Sequence, residues 1–199
     1  MDMNKLYAKI LAKRFMRVLA GKGWKYANPH SNQELFLFGL QYEQAIKLQC
    51  FFDISLDKSH CVLYLRREQQ IAENNHNRVA EYLTYANYGL VLGNFEFDLN
   101  DGEVRYKASL PAGKRIGFLF SALPSKRELQ HIVDVSVSTM VRYCKGINSL
   151  LDDPDLLPKQ ACMQIEKHQS VSAADVIAQI DKLSADEKKL VEAKLRESD

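Results

Sequence analysis

Phe95-Glu96-Phe97-Asp98-Leu99-Asn100-Asp101-Gly102-Glu103-Val104-Arg105-Tyr106-Lys107-Ala108 is the stretch that decides the fold class. Apolar residues alternate with charged ones on both sides of Asn100-Asp101-Gly102, so each arm offers one face to a core and one to water. The Asp-Gly pair reverses the chain tightly between them. The stretch therefore reads as a β-hairpin, with Phe95, Phe97 and Leu99 inward on one strand and Val104, Tyr106 and Ala108 inward on the other. A hairpin alone is marginal in water and needs further strands or a helix against its apolar face.

Both are found by working outward. Upstream, Ile46, Leu48, Cys50, Phe52 and Ile54 alternate with Lys47, Gln49, Phe51 and Asp53, the pattern of a strand with one covered face. Leu35 to Phe38 supply a strand before it, and Cys61 to Arg66 one after it, beyond the turn residues Asp57, Lys58 and Ser59. Downstream, Ile116, Phe118 and Phe120 give one more. Helical spacing appears three times. Leu6, Ile10, Leu11, Phe15, Val18 and Leu19 share a face over residues 4–20, which Gly21 and Gly23 end. Val79, Leu83, Ala86 and Leu90 follow Asn75 or Asn77 as a cap, with Gly89 or Gly93 as the stop. Ser125-Lys126-Arg127-Glu128 is a capping box that opens a helix carrying Leu129, Ile132, Val133, Val137, Met140, Val141, Cys144 and Ile147. Its stripe covers about 25 residues, roughly 37 Å, enough to lie across a sheet.

The predicted fold is thus α+β, an antiparallel sheet with one face covered by helices, in the order α-β-β-β-α-β-β-β-α. That domain occupies residues 1–150. Asp152, Asp153, Pro154, Asp155 and Pro158 begin a polar stretch read as a linker over 151–171, and residues 172–199 form a short helical tail with a second capping box, Ser184 to Glu187. The tail has too few apolar residues to make its own core.

Composition narrows the class of function. The 199 residues are 46% hydrophobic and 26% charged, an ordinary globular balance. Against 25 acidic residues stand 27 basic ones, too even a ratio for a dedicated nucleic-acid binder. No apolar run reaches membrane-spanning length and no signal peptide is recognisable, so a cytoplasmic protein is expected. Cys50, Cys61, Cys144 and Cys162 are widely spaced, which argues for free thiols over disulfides or zinc.

No phosphate loop, nucleophile elbow, zinc-protease pair or calcium loop occurs. His131 with Asp134, and His60 with Cys61, are adjacent polar pairs without a third group to orient a base. Neither a catalytic residue nor a metal ligand nor a cofactor site is predicted, and no small-molecule substrate is expected. Two surface features remain. Lys5, Lys9, Lys13 and Arg17 are spaced by four and line one side of the first helix, suited to nucleic acid, an anionic membrane surface or an acidic partner. Tyr82, Tyr85 and Tyr88 sit on the middle helix, and at 100° per residue Tyr85 and Tyr88 point away from Val79, Leu83 and Ala86. Tyrosine on an outer helix face suits a protein interface.

The run Asn87-Tyr88-Gly89-Leu90-Val91-Leu92-Gly93-Asn94-Phe95-Glu96-Phe97-Asp98-Leu99-Asn100-Asp101-Gly102-Glu103-Val104-Arg105-Tyr106 resembles the central motif of the bacterial YbjN family. The matching positions are Asn87, Gly93, Phe95, Asp98 and Gly102, and the order of elements agrees over residues 1–150. The resemblance implies a curved antiparallel sheet flanked by helices, a fold like that of the small type III secretion chaperones, with no enzymatic activity, frequent homodimers and a regulatory role. Together these readings predict a non-enzymatic, chaperone-like or regulatory module that binds another protein. Attachment to nucleic acid or another anionic surface through the basic first helix is the alternative.

Overall fold

Alternation is carried furthest in β2 (Ile46–Ser55), where every odd-numbered residue is at least partly exposed and every even-numbered apolar one is buried. The sheet is built around it. The computed structural model describes residues 3–28, 35–42, 46–55, 60–112, 114–116 and 120–167. Besides β2 these form α1 (Met3–Gly21), β1 (Leu35–Tyr42), β3 (His60–Arg67), α2 (His76–Tyr88), β4 (Asn94–Phe97), β5 (Val104–Pro111), β6 (Lys114–Ile116), β7 (Phe120–Ala122), α3 (Lys126–Asp152) and α4 (Pro158–Lys167). The chain comprises two compact units, Met1–Cys162 and Met163–Asp199.

Five strands make one open antiparallel sheet in the order β1-β2-β3-β5-β4. The register aligns one buried row across it: Phe36 faces Phe52, Phe52 faces Leu63, and Leu63 faces Ala108. A one-residue slip of any strand would turn its apolar set to water, so this row fixes the pairing. α1 closes the row, with the Phe15 ring stacked on Phe52 at 3.8 Å between centroids. α3 lies over the middle of the sheet and touches β2, β3, β5 and both α1 and α2. Its capping box forms as the sequence predicts: Glu128 N donates to Ser125 Oγ at 3.2 Å and Ser125 N to Glu128 Oε2 at 2.7 Å. Every apolar position expected on α3 is buried except Val141, which is half-buried.

The opposite face of the sheet carries half-buried Gln49, Phe51, Tyr64, Arg66, Glu96, Glu103, Arg105 and Lys107. Its charges are mutually paired. Arg66 Nη1 reaches Glu103 at 2.8 Å, Arg105 Nε reaches Glu96 at 2.6 Å, and Lys107 Nζ reaches Glu96 at 3.2 Å. The guanidinium of Arg105 also lies 5.2 Å from the Tyr64 ring centroid.

Three expectations need correction. The strand predicted through Ile116, Phe118 and Phe120 does not join the main sheet: among the described residues β6 and β7 pair with each other, Ile116 facing Phe120. Alternation reports a half-buried ladder without saying which ladder it joins. Phe118 lies outside the described residues, as does the turn expected at Asp57, Lys58 and Ser59. Leu99 leaves the hairpin strand, because β4 already ends at Phe97 and Gly102 N donates to Asp98 O at 2.9 Å, so Leu99 rides exposed on the turn. Within the stretch expected to link two parts, residues 158–167 form α4, with Pro158, Ala161 and Cys162 buried. Proline is favourable as a first helical residue, where its missing N–H costs nothing. The preceding connection is held as well: Arg78 Nη2 donates to Asp153 O at 3.0 Å and to Leu156 O at 2.9 Å. The tail helices expected over 172–199 lie outside the described residues.

Candidate functional site

α2 follows from its apolar stripe. Val79, Tyr82, Leu83 and Ala86 are buried at spacings of three and four. Tyr82 is therefore not a surface candidate, contrary to its grouping with Tyr85 and Tyr88. It lies three residues after Val79 and four before Ala86, which places its ring in the core edge-on to Tyr143 at 6.3 Å. Its hydroxyl donates to Tyr143 O at 3.0 Å, the bond that a buried phenol requires.

The other two tyrosines are where the helical angle predicts. Tyr85 is 38% exposed and Tyr88 96%, and Val91, three residues past Tyr88, is 102% exposed. Tyr85 and Tyr88 are neighbours on one helix face, and Val91 extends apolar surface into the connection that follows. Sequence reading missed Val91. The signal was there, since a β-branched residue in a short stretch between Gly89 and Gly93 has no strand or helix period to bury it. Asn87 anchors the end of the helix: Phe95 N donates to its Oδ1 at 2.7 Å and its Nδ2 donates to Phe95 O at 3.0 Å. The side-chain amide thus mimics a neighbouring strand for β4 and fixes the point from which Tyr88 projects.

Lys5, Lys9, Lys13 and Arg17 are all exposed along α1, and among the described residues none is paired with a carboxylate. Arg14, on a neighbouring line of that helix, donates to Pro124 O at 2.6 Å and so belongs to the structure instead.

In the two polar pairs noted in the sequence, the carboxylate and the thiol are engaged elsewhere. Asp134 pairs with Lys22. Cys61 is buried on the inner sheet face, its thiol 3.8 Å from Leu110 O, and burial pushes it up to about 12, far from a nucleophilic thiolate. Cys144 is likewise pushed up to about 12 by burial, and burial raises Cys50 as well. No group of three or more His, Cys, Asp or Glu suited to a metal ion occurs among the described residues. No helix among them is long and apolar enough to cross a membrane. A buried charge that sequence reading did not single out is Arg67, on the inner face at the end of β3. Burial lowers its guanidinium from the ordinary value, and it donates to Gln69 and, at 3.1 Å, to Asn148 Oδ1 of α3.

Residues 12–148 match the family model of YbjN, described as "Putative bacterial sensory transduction regulator". The chain belongs to the YbjN family. Among solved structures it is similar to "Crystal structure of YbjN, a putative transcription regulator from E. coli", at 10% identity over 77% of this chain and 90% of that one, with a TM-score of 0.46. No protein with a curated description matches the chain.

The motif read in the sequence has a structural account at each position. Asn87 ties α2 to β4, and Phe95 packs edge-on against Tyr106 at 5.1 Å and Tyr143 at 5.3 Å. Asp98 holds the turn through Asn100 N at 2.8 Å. Gly93 and Gly102 have φ of +74° and +76°, and a Cβ on Gly93 would fall 2.6 Å from Lys107 O.

Proposed function

We propose that this YbjN-family chain is a non-enzymatic regulatory module that works by binding another protein, as a homodimer, through the surface made by Tyr85, Tyr88 and Val91. The observation that carries the reading is the near-complete exposure of Tyr88 and Val91 beside half-exposed Tyr85. A single exposed apolar residue is ordinary, but three within seven residues concentrate the residue types that interfaces favour. Tyrosine gives large contact area at small entropic cost, having only two side-chain torsions. The surface is also preorganised, since Asn87 clamps its base to Phe95.

The test is the mass of the protein by light scattering together with affinity capture from a bacterial lysate. A dimer mass or a stoichiometric partner is expected, lost on Tyr85→Ala with Tyr88→Ala while the unfolding midpoint moves little. A monomer that captures nothing, or association indifferent to both substitutions, sinks the reading.

A second reading rests on the four exposed cations of α1, which suit an anionic polymer or membrane surface. Its mark is binding to DNA or anionic vesicles that weakens steeply with salt and disappears when Lys5, Lys9, Lys13 and Arg17 are changed to Gln. Binding unaffected by salt refutes it.

A further inference from the structure

A protein interface needs two complementary halves, and the ridge of Tyr85, Tyr88 and Val91 supplies only one. The residue after Val91 belongs to a concave surface. Leu92, Leu110 and Ile132 line a groove of about 240 Å³ together with Arg127, Glu128 and His131. That volume is below the roughly 300–1,000 Å³ of small-molecule sites and suits a protruding side chain. The walls are held in place, since the Tyr106 hydroxyl donates to Leu92 O and Ile132 is buried in α3.

Charge distinguishes the two ends of this surface. Glu81 precedes Tyr85 by four residues and Tyr88 by seven, so the three share one face of α2. Glu81 is exposed and, among the described residues, pairs with no cation. Arg78, one turn before it, donates instead to Asp153 O and Leu156 O. At the groove, the Glu128 carboxylate is taken by Ser125 N. Arg127 is exposed and, among the described residues, pairs with no carboxylate. Within one copy the two charges are far apart. Tyr82, beside Glu81, packs on Tyr143, and Arg127 lies sixteen residues before Tyr143 on α3, about 24 Å along the helix. An unpaired carboxylate thus marks the ridge end and an unpaired guanidinium the groove end.

We infer that the groove receives Tyr88 of a second copy of this chain, while Glu81 of each copy meets Arg127 of the other. A twofold axis near Val91 reverses the strip, so that both ridges find grooves and both charge pairs form at once. Such a contact closes on itself and stops at a dimer. The inference rests on the reading of Tyr85, Tyr88 and Val91 as an interface and adds the surface that receives them.

Sedimentation of the full chain over a concentration series is the test, and a monomer–dimer equilibrium is expected. Glu81→Arg and Arg127→Glu each set like charges opposite one another twice per dimer, and each should weaken the dimer about tenfold or more. Mixing the two variants in equal amounts should restore it, because the mixed dimer again holds two opposite-charge pairs, one natural and one inverted. Leu92→Ala, in the groove wall, should weaken the dimer about tenfold. The charge variants sit at exposed positions, so the test stands even where Leu92→Ala does not fold. A chain still monomeric at about 100 µM, or a dimer indifferent to both charge reversals, overturns the inference. Loss of association on Tyr85→Ala with Tyr88→Ala, alongside a mixture that fails to restore the dimer, overturns this pairing and leaves the tyrosine surface standing.

Discussion

Replacing Gly102 by Ala tests whether the hairpin between β4 and β5 is held by backbone geometry. Gly102 has a φ of +76°, where an L-residue costs about 1–2 kcal/mol. Its Cβ would also collide with Ile71 O and lie 2.9 Å from Ile71 N, both backbone atoms of a segment fixed by the Ile71 N to Gly102 O bond at 2.9 Å. Crowding of this kind adds about 1–3 kcal/mol, because neither side can yield as a side chain does. Against these stands a gain of about 0.4–1 kcal/mol from stiffening the unfolded chain. The net loss is about 2–4 kcal/mol, a large part of the roughly 5–15 kcal/mol that holds a domain folded. Two other glycines separate the contributions. Gly23 has a φ of +68° with nothing within 4 Å of a Cβ, so Ala there meets only the conformational cost and loses about 1 kcal/mol. Gly39 has an ordinary φ and its Cβ would meet Leu48 O at 3.9 Å, so Ala there is neutral or slightly stabilising. Urea unfolding followed by circular dichroism should show the midpoint falling by about 1–2 M for Gly102→Ala, with the slope unchanged. Equal midpoints for the Gly102 and Gly39 variants would refute the reasoning.

Two further perturbations follow from local chemistry. Ser125→Ala removes one half of the capping box and should destabilise by about 1 kcal/mol in urea, whereas Lys126→Ala, the next residue, should change little. Raised thiols make the fold sensitive to alkali. Cys61 and Cys144 titrate near 12 when folded but near about 8.5 when unfolded, so above that pH the unfolded chain holds fewer protons. Their stabilisation is complete below pH about 8.5 and is lost as pH rises, at about 1.4 kcal/mol per pH unit for each thiol. Unfolding free energies at pH 8, 9 and 10 should fall less steeply for Cys144→Ala than for the natural chain; parallel slopes would count against it.

What could be read in the sequence depended on whether a local period carried the information. The ten residues of β2 alternate without a break, and α3 announces its first turn with Ser125 and Glu128 and its inner face with eight apolar positions, so both were legible. Pairing partners were not, since Ile116 and Phe120 alternate as main-sheet residues do but face each other in a separate ladder. Pro158 read as a breaker because proline removes a donor, and only at the first helical position is that harmless. Tyr82 was misgrouped by residue type although the helical angle already put it with Val79 and Ala86. A groove between Trp24 and Val141 was beyond reach, because its walls come from chain segments more than a hundred residues apart.

If the protein-binding proposal holds, two surfaces of the main domain compete as the docking place, and desolvation decides between them. The sheet face opposite α3 offers Phe51 and Tyr64, but both rings lie under guanidinium groups that are themselves committed to carboxylates, Arg66 to Glu103 and Arg105 to Glu96. Desolvation raises the Glu96 carboxyl, yet hydrogen bonds from Arg105 and Lys107 together outweigh it and hold it below the usual carboxylate range. A partner laid on this face must dehydrate five paired charges and match each of them, and buried ion pairs of that kind return little net affinity. Tyr88 and Val91 surrender only water. Moving on the order of 150 Å² of tyrosine surface out of water is worth about 4 kcal/mol before the cost of association, with the phenol tip left at a wet rim. A double substitution of Arg105 and Glu96 to Ala should therefore leave association intact, and loss of association in that variant with Tyr85→Ala and Tyr88→Ala silent would move the interface to the sheet.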